Sequence, residues 1–224
     1  MNELTHMMTM ASRGPSPLDL LIVLFGLSMV PVLAVSTTSF TRIVVVLGLL
    51  RASLGASTLP PNSVIAALAI MLSVVVMGPT LARVQRSAVE PYVQRRISAT
   101  VALTRGCDEL KRFMLRQTRA SDVATFSRYA SARGLGRDLN AQGDPAFEIV
   151  APAFMVSELR SAFAMGFAFA LPFAAIDIVV AAVMMSLGMF MVSPSSIALP
   201  IKLLLFVAAD GWTTVCGALI QSFR

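Results

Sequence analysis

Charge is confined to one stretch of this chain, and that confinement limits what the chain can fold into. Of its 18 Lys and Arg, 13 lie within residues 83–160, together with 8 of the 12 Asp and Glu. Residues 1–82 carry three Arg and two acids, and residues 161–224 carry only Asp177, Lys202, Asp210 and Arg224. Two apolar blocks therefore flank one charged insert. Overall, 56% of the residues are apolar, 13% are charged, and the mean hydropathy is +0.78. A soluble domain holds about a quarter charged residues, and one soluble core of this size cannot hide so much apolar surface. The composition points away from a soluble enzyme and toward a membrane or membrane-embedded protein. Cys107 and Cys216 fall in different blocks, which argues against a disulfide framework. The sole histidine, His6, sits in a Met-rich leader, so His-based catalysis and metal binding have little to draw on.

Leu18–Val35 is an apolar run of 18 residues interrupted by Asp19 and Pro31. As a helix it is about 27 Å long, marginal against a hydrocarbon core of about 30 Å. A signal peptide is the alternative, with Ala34-Val35-Ser36 as a loose cleavage site, although Arg13 against Glu3 makes a poor basic leader. Ile43–Leu50 and Val64–Met77 are too short to span alone and read as helices packed against protein. Gly55 and Pro60-Pro61 break the chain between them, and Asn62 is expected to cap the helix that follows. Phe163–Val192 is too long for one straight crossing, about 45 Å as a helix, and Pro172 is expected to kink it. A Gly188…Pro194 break then separates it from Ile201–Ile220, so a helical hairpin is expected. The chain divides into a leader (1–17), N-terminal hydrophobic helices (18–82), a charged helical insert (83–150) and a C-terminal hydrophobic hairpin (151–224). The fold class is all-α: membrane-associated helical hairpins with an inserted amphipathic helical domain.

Within the insert, Leu110, Phe113 and Met114 share one helical face, and Asp108 and Arg112 are spaced to pair on another. Ser121-Asp122 reads as a helix start, Val123, Phe126 and Ala130 form its stripe, and Gly134 and Gly136 end it. The basic excess lacks any nucleic-acid motif or aromatic interleaving, so it reads as the solvated face of an amphipathic domain and not as a nucleic-acid surface. No phosphate loop, Cys/His cluster or nucleophile elbow occurs, so neither an enzyme activity nor a cofactor is expected.

Three ionisable residues interrupt the last hairpin: Asp177, Lys202 and Asp210. Such groups in apolar segments need a partner or an aqueous path. If the chain turns near residue 192, their depths differ by roughly 5–12 Å, and Lys202 is in reach of Asp177 in its own chain or a neighbouring copy. They are either a neutralised packing group or a proton or ion relay. The tip itself, Met184-Met185-Ser186-Leu187-Gly188-Met189-Phe190-Met191, is rich in deformable Met. At helical spacing that is ordinary core. Met189, Phe190 and Met191, however, follow a glycine at a break, where a symmetric assembly would turn them into a deformable apolar ring.

Four stretches carry a resemblance to a known family. They are Thr38-Ser39-Phe40-Thr41-Arg42-Ile43 running into Leu49-Leu50-Arg51 and Pro60-Pro61-Asn62; Phe113-Met114-Leu115-Arg116-Gln117-Thr118-Arg119; Pro152-Ala153-Phe154 with Ser157-Glu158-Leu159; and Leu187-Gly188-Met189 through Leu199-Pro200 and Lys202-Leu203 to Asp210-Gly211-Trp212. Their order and spacing cover nearly the whole chain after residue 18. The chain resembles the FliP/SctR family of the type III export apparatus, with the Gln-Thr-Arg stretch closer to the flagellar branch than to the injectisome branch.

That resemblance implies a core subunit of a protein export gate, assembled as a homo-oligomer (a pentamer in the family) with FliQ/SctS-like and FliR/SctT-like subunits and other export-apparatus proteins. Its passengers are unfolded flagellar or effector substrates. It implies a place in the bacterial inner membrane, in contact with lipid, within a flagellar or injectisome basal body that extends to the periplasmic side. The 13 bases of residues 83–160 would favour the cytoplasm, but that bias weakens for loops beyond about 60 residues, and the family places this domain in the periplasm. The family's Met-rich loop lines a closed constriction and maps onto Met189, Phe190 and Met191, with Phe190 where the family commonly has a third Met. Asp177, Lys202 and Asp210 are then expected to hold the hairpin and its neighbours in register. The competing readings are an ion-coupled transporter using Asp177 and Asp210, and a scaffold that never conducts.

Overall fold

The computed structural model describes residues 17–55, 60–134 and 145–223. The leader with His6, and Gly136, lie outside the described residues. The expected all-α fold is what is found: every regular element among the described residues is helical. The described residues fall into two compact units that divide between Val35 and Ser36. Helix α1 (Pro17–Thr37), which begins in the first, runs through Pro31 and leaves Leu20, Leu21, Leu24 and Phe25 exposed.

The second unit begins with α2 (Phe40–Leu54), which Gly55 terminates in the left-handed region at φ 77°. Helix α3 (Asn62–Val84) follows. Asn62 is its first residue and not its cap, because its side-chain carbonyl is taken by Arg51, which also donates to the Pro60 carbonyl at 3.3 Å. The short span expected of Val64–Met77 is also corrected. The helix continues through a π-helical turn (Gln85–Val89) into α4 (Glu90–Val93), giving 32 residues long and apolar enough to cross a membrane. The π turn has a local cause: Pro91 has no N–H to offer the Ser87 carbonyl, and Arg105 supplies a donor there at 3.4 Å.

In the charged insert, α5 (Ala99–Gln117) is capped by Ser98, whose hydroxyl accepts from the Val101 N–H. Leu110, Phe113 and Met114 do form its inner face. The Asp108–Arg112 pair is replaced: Arg112 reaches Glu109 at 2.7 Å, and Arg83 meets the same carboxylate at 3.2 Å. Glu109 wins because it lies on the buried face, where a carboxylate needs donors. Helix α6 (Ala120–Ala132) starts one residue before the Ser121-Asp122 signal, and Asp122 in its first turn pairs with Arg160 at 3.3 Å.

Helix α7 (Phe147–Ser186) is one 40-residue element, about 60 Å long. Its apolar segment is extended backward by the Phe147–Ala162 stretch, which packs on the insert. Pro152 and Pro172 both lie inside it without ending it. Phe154 meets Phe113 edge-on at 6.0 Å, and Ser157 accepts the Arg119 N–H at 3.2 Å. Farther along α7, from Glu158 onward, α2 packs against it. A Cβ on Gly166 would come within 2.9 Å of the Leu49 Cβ, so the close approach of the two helices depends on that glycine.

Candidate functional site

Two helices follow the tip where one was expected. Helix α8 (Pro194–Ala208) and helix α9 (Gly211–Gln221) meet at a 64° bend. Asp210 makes the bend at φ 46°, ψ 51°, a left-handed conformation that Asp tolerates better than most side chains. Gly211 then admits the Phe206 ring, whose Cζ would lie 2.7 Å from a Cβ there, and Trp212 packs edge-on to that ring at 5.2 Å. This is the structural content of the Asp210-Gly211-Trp212 stretch.

The hairpin tip is built by a helix C-cap. The Met189 N–H reaches the Met184 carbonyl at 3.0 Å, and the Gly188 N–H reaches the Met185 carbonyl at 3.1 Å. With Gly188 at φ 72°, these two bonds make a complete Schellman motif. The chain thereby leaves α7 sharply, and Pro194 restarts the helix at its first position. Between them, Phe190 is 79% exposed and Met191 99% exposed, with Leu187, Met189 and Val192 also at the surface. Five apolar side chains stand in the open on a fixed turn. Burial in their own helix is not available to them, so a single chain leaves them unprotected.

Behind the tip, Lys202 on α8 donates to Asp177 Oδ2 at 2.6 Å and to the Ser53 carbonyl at 3.0 Å. The pair is lopsided: Lys202 is 4% exposed, while the Asp177 side chain is 48% exposed. A groove of about 500 Å³ opens beside them, walled by Ala170, Ala174 and Ala181. Asp210 stands apart. It is exposed at the α8–α9 bend and makes no ion pair among the described residues.

Sequence reasoning missed a second charged joint. Arg42 grips the fully buried Glu158 with two guanidinium nitrogens, its Nε at 2.8 Å. Its remaining nitrogen donates to the Ser222 carbonyl at 2.9 Å and to the Ser222 hydroxyl at 3.1 Å. The Phe223 ring lies 3.9 Å from the guanidinium carbon. Helices α2 and α7 and the end of α9 are thereby tied at one point. Only half a signal was present: Arg42 is a charge bordering an apolar run and needs a partner, but nothing in the spacing points to Glu158. Nearby, the Ser39 and Ser73 hydroxyls bond at 2.8 Å in the interior, joining α2 to α3.

The family model described as FliP family matches residues 23–219 of this chain. The flagellar biosynthetic protein FliP of Pectobacterium carotovorum subsp. carotovorum is 46% identical over 205 residues, spanning 91% of this chain and 77% of that protein. Its counterpart of the same name from Caulobacter vibrioides is 43% identical over 198 residues, 88% of this chain and 73% of that protein. The one from Bacillus subtilis is 40% identical over 208 residues, 93% of this chain and 92% of that protein.

Proposed function

Since this chain belongs to the FliP family and is a membrane protein of flagellar export, we propose that it is a core, non-enzymatic subunit of the export gate. Several copies, together with FliQ-like and FliR-like subunits, surround a path for unfolded substrate in the inner membrane. The charged insert faces the periplasmic side. Met189, Phe190 and Met191 from each copy meet on the axis and close that path to ions and small solutes. They yield when a chain enters.

The observation that carries this reading is the exposed apolar tip. A turn fixed by the Gly188 cap presents Phe190 and Met191 to the outside, a state that only a neighbour, lipid or a closed ring relieves. Met supplies a side chain that repacks around changing shapes, and Phe190 adds a stiffer one. The Asp177–Lys202 pair fits a bracing role, because it ties α7 to α8 directly behind the tip. A relay through Asp177 and Asp210 has less support: Lys202 already neutralises the first, and the second is committed to a backbone bend.

The test is cross-linking on the axis. In assembled complexes with Cys107 and Cys216 replaced by Ser, Met191→Cys is expected to give disulfide-linked dimers of this chain under mild oxidation, one bond per pair of copies. Complexes that assemble and export yet yield only monomer would contradict the ring.

A further inference from the structure

The basic excess of the charged insert has no role in the pore reading, and two of its arginines border one groove. A cavity of about 330 Å³ lies between α3, α5 and α9. Its walls include Val75 and Pro79 of α3, Ile220 of α9 and Phe223 beyond it, and Arg83 and Arg116 also border it. Val75 and Ile220 are exposed. No charged residue occurs between Arg51 and Arg83, so the groove sits where a long apolar helix first becomes charged. That is the sequence pattern of a membrane border.

The charges there do not cancel. Glu109 is shared by Arg83 at 3.2 Å and Arg112 at 2.7 Å, and Arg83 is steadied further by its bond to the Thr80 hydroxyl at 2.9 Å. Arg116 is exposed and forms no ion pair among the described residues. Two guanidinium groups thus share one carboxylate, and the unpaired Arg116 borders the same trough as Arg83. A phosphodiester with an acyl chain satisfies both halves: bidentate guanidinium donors suit phosphate oxygens, and basic pockets at membrane borders take anionic headgroups.

We infer that this groove holds one anionic phospholipid, its phosphate on Arg83 and Arg116 and an acyl chain along Val75, Pro79, Ile220 and Phe223. This goes beyond the gate reading and does not depend on the tip forming a ring.

The experiment is native mass spectrometry of the full-length chain in neutral detergent, titrated with phosphatidylglycerol, phosphatidylcholine or inorganic phosphate. The wild type is expected to retain one phosphatidylglycerol in preference to phosphatidylcholine, and inorganic phosphate should not displace it. Arg116→Gln should weaken retention about fivefold, while Arg128→Gln, an exposed arginine on α6 outside the groove, should leave it unchanged. Val75→Trp, which fills the trough and keeps both arginines, should abolish it; this variant decides the matter if Arg116→Gln unfolds, as its lipid-free melting will show. Equal retention of the two lipids, displacement by phosphate, equal losses in Arg116→Gln and Arg128→Gln, or full retention in Val75→Trp would each overturn the assignment.

Discussion

Asp210 shows how a single residue's role can differ from the one its charge suggests. An aspartate in an apolar block invites a partner, yet this one holds a left-handed backbone at the α8–α9 bend, and its carbonyl accepts the Thr214 N–H at 3.1 Å. The left-handed region costs a residue with a Cβ roughly 1–2 kcal/mol; Asn and Asp tolerate it, and Gly enters freely. Asp210→Asn and Asp210→Gly should therefore keep wild-type melting and support motility. Asp210→Val should melt earlier, by about 1–2 kcal/mol of stability. Loss of stability in Asp210→Asn, with Asp210→Val no worse, would instead assign the role to charge. Arg42 is the converse case, a residue whose charge is its role. Its guanidinium serves Glu158 and Ser222 at once, a geometry that a lysine's single ammonium does not reproduce.

At the scale of elements, the Asp177–Lys202 brace makes an asymmetric demand. Asp177→Ala leaves a buried ammonium with only the Ser53 carbonyl, which should cost about 1–3 kcal/mol. Lys202→Met leaves a carboxylate that is already half in solvent and places a flexible apolar chain in the vacated space. That loss should stay below about 1 kcal/mol. Thermal unfolding in detergent checks the order of the two, and the reverse order would show that the burial of the pair has been misassigned. Hydropathy foretold which segments are apolar but not where helices begin and end. The run Val64–Met77 looked short because Gly78, Pro79 and Thr80 follow it, while the backbone stays helical past Pro79 and through a π turn to Val93. Phe163–Val192 looked like a beginning because Glu158 and Arg160 precede it. In the folded chain one of these is buried on Arg42 and the other reaches Asp122, so the helix crosses them unbroken. Ile201–Ile220 looked continuous because no apolar signal marks a left-handed Asp.

For the whole molecule, the tip was legible for a local reason and the Arg42–Glu158 joint was not. Gly188 followed by bulky residues and Pro194 is a pattern confined to neighbours in sequence, and the Schellman turn realises it directly. Arg42 and Glu158 are 116 residues apart, and pairing at that distance is a property of the packed helices that no local spacing encodes. The central claim concerns the assembled gate, namely that copies of this chain enclose a path sealed at Met189, Phe190 and Met191. The most direct measurement is ion or small-solute leakage in cells carrying the assembled complex, wild type against the triple change Met189→Ala, Phe190→Ala and Met191→Ala. The tip lies on a loop outside the core, so assembly should survive the change while leakage rises clearly. Intact assembly with neither leakage nor any change in export would contradict the account and leave this chain a scaffold.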